Sequence, residues 1–250
     1  MIKIAPDWGD SLIAYLQTHS TDQSLTLSLY THGCDAEQAP PYRSQRSLAS
    51  LGGGGAARQQ QQQQQPTAPQ LAWQLNDTGC FVHYNMATAA GTQGCSSDGD
   101  EAPPPLSAWR PTALDTDGWA AACKALGGSR IVLTAKHNCG FIPWHSSAAS
   151  NYTYSATASQ PDVVAAFVAS ARAAGLGVGF YYSDWTNTYC RVSKGAVVPG
   201  PTKPGQIALS QSSYDAIVLA HLTELWSKYG ALSEIWFDGG LRPELWPAVR

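Results

Sequence analysis

Four short apolar runs, at residues 80–84, 131–135, 177–183 and 234–238, alternate with three stretches of helical periodicity. Nothing else in the chain narrows its fold as much. The helical stretches run from Thr116 to Leu126, Pro161 to Ala174 and Ser213 to Tyr229. In the last, Tyr214, Ile217, Val218, Leu222, Leu225, Trp226 and Tyr229 fall on one stripe, and Gly230 stops it. Gly127-Gly128 and Gly175 end the other two, and Pro161 suits a first helical position. The runs between the helices are nearly continuous in apolar residues, the mark of strands buried on both faces. Strands alternating with helices in this way give βαβ units around a parallel sheet. A closed (β/α)8 barrel needs eight of each. Four strands and three helices therefore lead to the expectation of an α/β fold that is a partial (β/α)8 TIM barrel, about the first four βα units, unless the sheet is an open one.

This pattern occupies residues 71–250. Ahead of it, Gly52 to Gly55 and the run Gln59 to Gln65, closed by Pro66 and Pro69, make a low-complexity block. Such a block cannot bury apolar surface, so residues 45–70 are expected to be a disordered linker. Residues 1–44 form an N-terminal segment of unknown role, with an amphipathic patch at Leu12 to Leu16 and an alternating, strand-like run at Leu25 to Tyr30.

Only 13% of residues are charged and the net charge is −3, without clusters of Lys and Arg. Phosphate binding needs such clusters, so nucleic acid is not the expected partner. No apolar run reaches the roughly 18–20 residues of a membrane span, and Met1 to Asp7 lacks a secretory-signal pattern. The six cysteines (Cys34, Cys80, Cys95, Cys123, Cys139 and Cys190) have neither C-x-x-C nor metal-ligand spacing with histidine, so no metal site is expected. Cys80 and Cys123 fall at strand and helix positions and are expected to be small buried apolar groups. The sequons at Asn76 and Asn151 would matter only in a secreted chain.

Each apolar run ends in polar groups. His83 closes the first, Lys136-His137-Asn138 the second, Tyr181 to Trp185 the third, and Asp238 follows Trp236-Phe237 in the fourth. C-terminal ends of parallel strands share one edge, so these residues should converge there. Imidazole and amide groups bond ring hydroxyls, and aromatic faces pack on sugar C–H surfaces. One carboxylate in such company suits a hydroxyl-rich, uncharged ligand. Each residue also has a plainer role available: His83 as a bonded structural histidine, Tyr181 and Trp236 as core, and Asp238 before two glycines as a turn former.

These residues resemble the α-L-fucosidases of glycoside hydrolase family 29, in particular the plant-like branch, over about residues 71–240. The resemblance is carried by Gln70-Leu71-Ala72-Trp73-Gln74, Leu114-Asp115-Thr116-Asp117-Gly118-Trp119, Gly179-Phe180-Tyr181-Tyr182-Ser183 and Ile235-Trp236-Phe237-Asp238-Gly239. The block Leu133-Thr134-Ala135-Lys136-His137-Asn138-Cys139-Gly140-Phe141, with Trp144, is the most specific of these. The resemblance implies a retaining hydrolase of α-L-fucosyl linkages in glycans or glycoproteins. Asp238 would be its nucleophile, and His83, His137, Asn138, Tyr181 and Trp236 would contact substrate, with Trp144 and Trp185 as further candidates. It implies no metal or organic cofactor, and an extracellular, apoplastic or lysosomal/vacuolar location.

The chain departs from the family pattern at Asn138, where a second histidine is usual, and at Cys139, where an acidic residue is usual. No Glu-Trp element is recognisable in Gly91-Thr92-Gln93-Gly94-Cys95-Ser96. No acid/base residue can be assigned, and Glu244 is the only carboxylate after Asp238. On this reading the chain is truncated after the nucleophile strand, impaired in turnover and open to self-association through unpaired sheet edges at 80–84 and 234–238. A non-catalytic carbohydrate-binding remnant and an open α/β sheet for another small ligand stand as alternatives.

Overall fold

The computed structural model of the protein describes the backbone of Thr26–Thr31, single positions 68, 71 and 75, and residues 78–92, 94–95, 101–147 and 152–249. The amphipathic patch at 12–16, the linker expected at 45–70 apart from Ala68, and the sequon residues Asn76 and Asn151 lie outside the described residues.

In chain order the elements that build the site are β1 (Thr26–Thr31), β2 (Thr78–His83), α1 (Met86–Ala89), α2 (Thr116–Ala125), β3 (Arg130–Lys136), α3 (Val163–Ala173) and β4 (Gly177–Tyr182). They continue as the short hairpin β5 (Val192–Ser193) and β6 (Ala196–Val197), then α4 (Gln211–Lys228), β7 (Glu234–Phe237) and α5 (Trp246–Val249). The main sheet has the order β1-β2-β3-β4-β7. Strands β2, β3, β4 and β7 are parallel, and β1 lies antiparallel on β2 from Thr26 opposite His83 to Thr31 opposite Thr78. The fold is α/β with a parallel sheet, as the strand–helix alternation predicts. The edge of β2 is not open, however: the alternating run of the N-terminal segment pairs along its whole length. Among the described strands β7 is the other edge.

The helix starts follow capping chemistry. The side chains of Asp115, Asp162 and Ser210 accept from the main-chain nitrogens of Gly118, Ala165 and Ser213, satisfying amides that have no partner inside the first turn. Pro161 is thus one residue ahead of the cap rather than first in its helix, and α4 begins two residues before the expected Ser213.

The sheet's two faces differ. Val82, Leu133, Phe180 and Tyr182 point into one large core with Cys123, Val164, Phe167, Val218, Leu222 and Leu225 from α2, α3 and α4. The other face carries a small separate cluster of Phe81, Val132 and Tyr181 with Trp236 packed against it. At the base of that face Arg130 and Glu234 form an ion pair, Nε to Oε2, 2.7 Å, reaching from β3 to β7 past β4. Room for it comes from β4 itself. A Cβ at Gly177 would lie 3.2 Å from the Arg130 Cβ, and one at Gly179 would lie 3.3 Å from the Glu234 Cβ.

Two of the cysteine assignments are corrected. Cys80 on β2 and Cys123 on α2 are joined in a disulfide, with Cα atoms 5.8 Å apart. Cys95 and Cys139 form a second, with Cα atoms 5.0 Å apart. Cys190 is free and buried. Alternation turns Cys80 toward the helix layer, where α2 returns to the sheet, so a pair of small buried side chains there is also a pair within bonding reach.

Cross-linking two positions 43 residues apart removes freedom from the unfolded chain. Cys80→Ala with Cys123→Ala should therefore lower unfolding free energy by about 2–4 kcal/mol. Urea denaturation of the double variant against the parent measures it. A change below about 0.5 kcal/mol would mean that the bridge is not formed in solution.

Candidate active site

The carboxyl edge of the parallel sheet gathers the strand-end residues. His83 ends β2, His137 follows β3, Tyr181 is the next-to-last residue of β4 and Asp238 follows β7. Parallel register places Tyr181 beside Thr134 on β3 and beside Trp236 on β7. Tyr181 and Trp236 therefore rise from the same face, and Asp238, two residues beyond Trp236, continues it. The Tyr181 hydroxyl donates to Asp238 Oδ2 at 2.5 Å. A phenol donating to a carboxylate is a charge-assisted bond of the stronger kind, and it orients the acid.

The two histidines complete the wall. Their rings meet edge to face, centroids 5.4 Å apart, and His137 lies 5.7 Å from the Tyr181 ring. Phe81 forms the floor, edge-on to both Tyr181 and Trp236 at 5.7 Å. His137 reaches this face because the β3–β4 register shifts between Thr134 and Lys136. Without that bulge the period of two would send Lys136 to the rim and His137 away from it. With it, Lys136 is fully buried below and donates to the main-chain oxygens of Ser183 and Thr186, the latter at 3.3 Å.

Burial sets the charge state of the imidazoles. It lowers the His83 pKa, against the pull of the Asp238 carboxylate. His137 is lowered to about 4, by burial first and by the neighbouring His83 second. Both rings are neutral near pH 7, able to donate one hydrogen bond and accept another. The His137 Nδ1 has no hydrogen-bond partner among the described residues. A carboxylate held by a phenol, two neutral imidazoles and an aromatic floor can hold a hydroxylated ring and present a nucleophile to it.

Not every expected contact is placed at this cluster. The Asn138 amide is committed elsewhere: Oδ1 accepts from the Cys95 nitrogen at 3.1 Å and Nδ2 donates to the Cys95 oxygen at 2.7 Å. Together with the Cys95–Cys139 disulfide it latches the segment after β2 to the segment after β3. Trp144 is wholly buried, its Nε1 donating to Glu224 Oε2 at 2.9 Å and its ring 5.5 Å from His221. It belongs to the helix side, where α4 supplies both partners. Trp185 is 37% exposed and sits on Gly239, whose added Cβ would lie 2.7 Å from the Trp185 Cγ. Gly239 has φ +79°, so the turn behind Asp238 needs glycine for both conformation and space. Among the described residues no group of three His, Cys, Asp or Glu is spaced to hold a metal ion, and no helix is long and apolar enough to cross a membrane.

Sequence kinship gives the family. Residues 101–246, more than half of the chain, match the family described as Alpha-L-fucosidase. The chain belongs to the alpha-L-fucosidase family. A rice relative (Oryza sativa subsp. japonica) is 36% identical over 177 residues, 70% of this chain and 30% of its own length. Alpha-L-fucosidase 1 of Arabidopsis thaliana is 33% identical over 180 residues, 70% of this chain and 31% of its own. The chain thus spans about a third of the length of the curated relatives it matches. A solved glycoside hydrolase 29 family member from an unknown rumen bacterium superposes with TM-score 0.54 at 31% identity, covering 74% of this chain and 30% of that one. A solved structure from Bacteroides thetaiotaomicron superposes with TM-score 0.62 at 29% identity, covering 74% of this chain and 43% of that one.

The histidine environment has a pH consequence. A buried ring whose folded pKa lies below 6.5 binds fewer protons than in the unfolded chain, so its contribution to stability is complete above pH 6.5 and lost as pH falls. His137 at about 4 and the fully buried His221 at about 3 both act this way. Glu224, where burial is outweighed by hydrogen bonds that hold it at about 2, adds a loss only below pH 4.5. Stability should therefore fall from pH 6.5 down to about pH 4 through His137 and to about pH 3 through His221. His137→Gln should flatten the pH 6.5–4 decline by roughly 1–2 kcal/mol, allowing for solvent screening at a partly exposed ring. Urea midpoints across pH 4–8 test this; parallel curves for variant and parent would refute the assignment.

Proposed function

We propose that this chain carries the nucleophile side of a retaining α-L-fucosidase site, acting on α-linked fucose in glycans or glycoproteins. The observation that carries the reading is the Tyr181–Asp238 hydrogen bond, set beside two neutral imidazoles over an aromatic floor. Family membership supports the substrate class. Asp238 attacks the anomeric carbon and forms a glycosyl ester. The bond to the leaving oxygen breaks and that oxygen takes a proton from a general acid; water then cleaves the ester with that acid acting as base. The acid belongs about 5–5.5 Å from Asp238 in a retaining enzyme.

His83, His137, Tyr181 and Trp236 are proposed as the fucose contacts, with Trp185 at the margin. Asn138 is proposed to shape the wall through Cys95 rather than to touch sugar. The sheet is proposed as an arc of a (β/α)8 barrel. In support, successive strands are spatial neighbours in chain order and α2, α3 and α4 share one core with a single face of the sheet. A doubly wound sheet would reverse its order and cover both faces. The exposed side of β7 is a proposed pairing edge. The two disulfides support an oxidising compartment for the chain.

The test separates nucleophile from general acid. Fluoride leaves without protonation, so a 2-deoxy-2-fluoro-fucosyl fluoride reports the first step alone. Intact-mass analysis should show one fluorofucosyl group, mapped by peptide digestion to Asp238, and none in Asp238→Ala. Protection of His83 and His137 by fucose without labelling would instead favour the carbohydrate-binding remnant. Labelling at any other residue would overturn the assignment.

A further inference from the structure

We infer that Arg242 is a positioning residue for Asp238: clamped between Asp184 and Asp215, it fixes the turn that carries the carboxylate. The inference rests on the fucosidase reading for its catalytic meaning, while the clamp itself is a feature of the chain.

Asp184 lies three residues beyond Tyr181, and Arg242 four residues beyond Asp238. The Arg242 Nε donates to Asp184 Oδ2 at 3.2 Å and its main-chain nitrogen approaches the same oxygen at 3.4 Å. Nη2 donates to Asp215 Oδ1 on α4 at 2.6 Å. The Asp184 side chain is completely buried, that of Arg242 10% exposed and that of Asp215 26%. Breaking one partner of a buried pair leaves a charge that neither water nor protein satisfies, which makes such a contact hard to open.

The surroundings are shaped for this guanidinium. Gly195, at φ +78°, passes so close that a Cβ there would strike the Arg242 stem. Its oxygen accepts from Gln211, which also donates to Asp215 Oδ1 at 2.9 Å. The Arg242 guanidinium lies 5.8 Å from the centre of the Tyr214 ring, and the Tyr214 hydroxyl donates to the Asp184 main-chain oxygen at 3.0 Å. The segment after β4 is thus held on one side by Arg242 and on another by Lys136.

The consequence falls on Asp238. Its carboxylate follows a four-residue strand, so β7 pairing alone leaves the following turn to swing. The turn is fixed at both ends: Gly240 donates to the Phe237 oxygen at 3.1 Å, Gly239 rests on Trp185, and Arg242 anchors the far end. Tyr181 and Asp184 sit on one short stretch of chain, Asp238 and Arg242 on another. The Tyr181–Asp238 hydrogen bond and the clamp are therefore two rungs between the same pair of segments, so parting the first also strains the second.

As a positioning residue Arg242 touches no substrate atom, so its loss should slow chemistry more than binding. Arg242→Met should slow fluorofucosyl labelling of Asp238 roughly 10–100-fold. Affinity for a fucose-configured iminocyclitol, by calorimetry, should change less than about threefold. Arg242→Lys should recover part of the rate, and Asp215→Asn, which opens only the outer half, should lose less than Arg242→Met. If Arg242→Met does not fold, Asp215→Asn against Arg242→Lys carries the same comparison. Labelling at the parent rate in a folded clamp variant, or rate and affinity falling together, overturns the inference.

A second readout needs no activity. A double-mutant cycle of Tyr181→Phe and Asp238→Ala on the urea unfolding equilibrium measures coupling across the hydrogen bond. Coupling of about tenfold in the parent should fall below about threefold in the Arg242→Met background. Undiminished coupling there overturns the inference. A parent chain that is never labelled removes the fucosidase reading, and the cycle still decides the clamp.

Discussion

The pairing of β4 between β3 and β7 governs everything at the rim. Side chains alternate along a strand, so a slip of one residue on either side of β4 would exchange rim for core. The observed register puts Tyr181 level with Trp236 and opposite Thr134. From that alignment follow the Tyr181–Asp238 bond above and the Phe81–Tyr181–Trp236 cluster in the middle. The glycines of β4 lie below, where the Arg130–Glu234 pair occupies the space their missing side chains leave.

Beneath the rim lies a set of buried polar side chains. Lys136, Asp184, His221 and Glu224 are all nearly or wholly inaccessible. Burial brings Lys136 down to about 8 against the opposing charge of Asp184, and the amine spends its hydrogens on main-chain oxygens and Tyr214. Such groups are costly when unpaired and directional when paired. Here they link the exits of β3, β4 and β7 to α4, and apolar packing alone would not fix those segments in one relative orientation.

Much of this was readable from the chain, and the reasons are physical. Helices and strands were visible because their periods are short and local: the stripe of α4 and the four apolar runs need no partner to be recognised. Residues at strand ends were legible for the same reason, since parallel sheets put all C-terminal ends on one edge. His83, His137, Tyr181 and Asp238 fall on that edge by this rule, but the rule does not set which way they face. His137 turns to the rim only through the β3 bulge, and Trp236, inside its strand, is marked by the family resemblance instead. What failed to show depends on distant contacts. Nothing local announces that Cys80 meets Cys123, that Asn138 turns to Cys95, or that Trp144 bonds Glu224 on a helix 80 residues later. Arg242 carries no local signal, because its partners, Asp184 and Asp215, are 58 and 27 residues away and belong to no motif. The strand at Thr26–Thr31 was recognised by its alternation, but its place beside β2 lay beyond a long featureless segment.

The β3 bulge lets one tripeptide serve three audiences. Lys136 faces the helix layer, His137 the rim and Asn138 the neighbouring loop, although they are consecutive in sequence. A regular strand could address only two directions, and every second residue would be bound to repeat the first. The extra residue therefore works like a change of key within the strand. The apolar run of the strand ends at Ala135, and from Lys136 onward each side chain answers to a different neighbour. Drift at one of these three positions is accordingly free of the other two, so this short stretch can alter its loop contact while keeping its imidazole and its buried amine where they are.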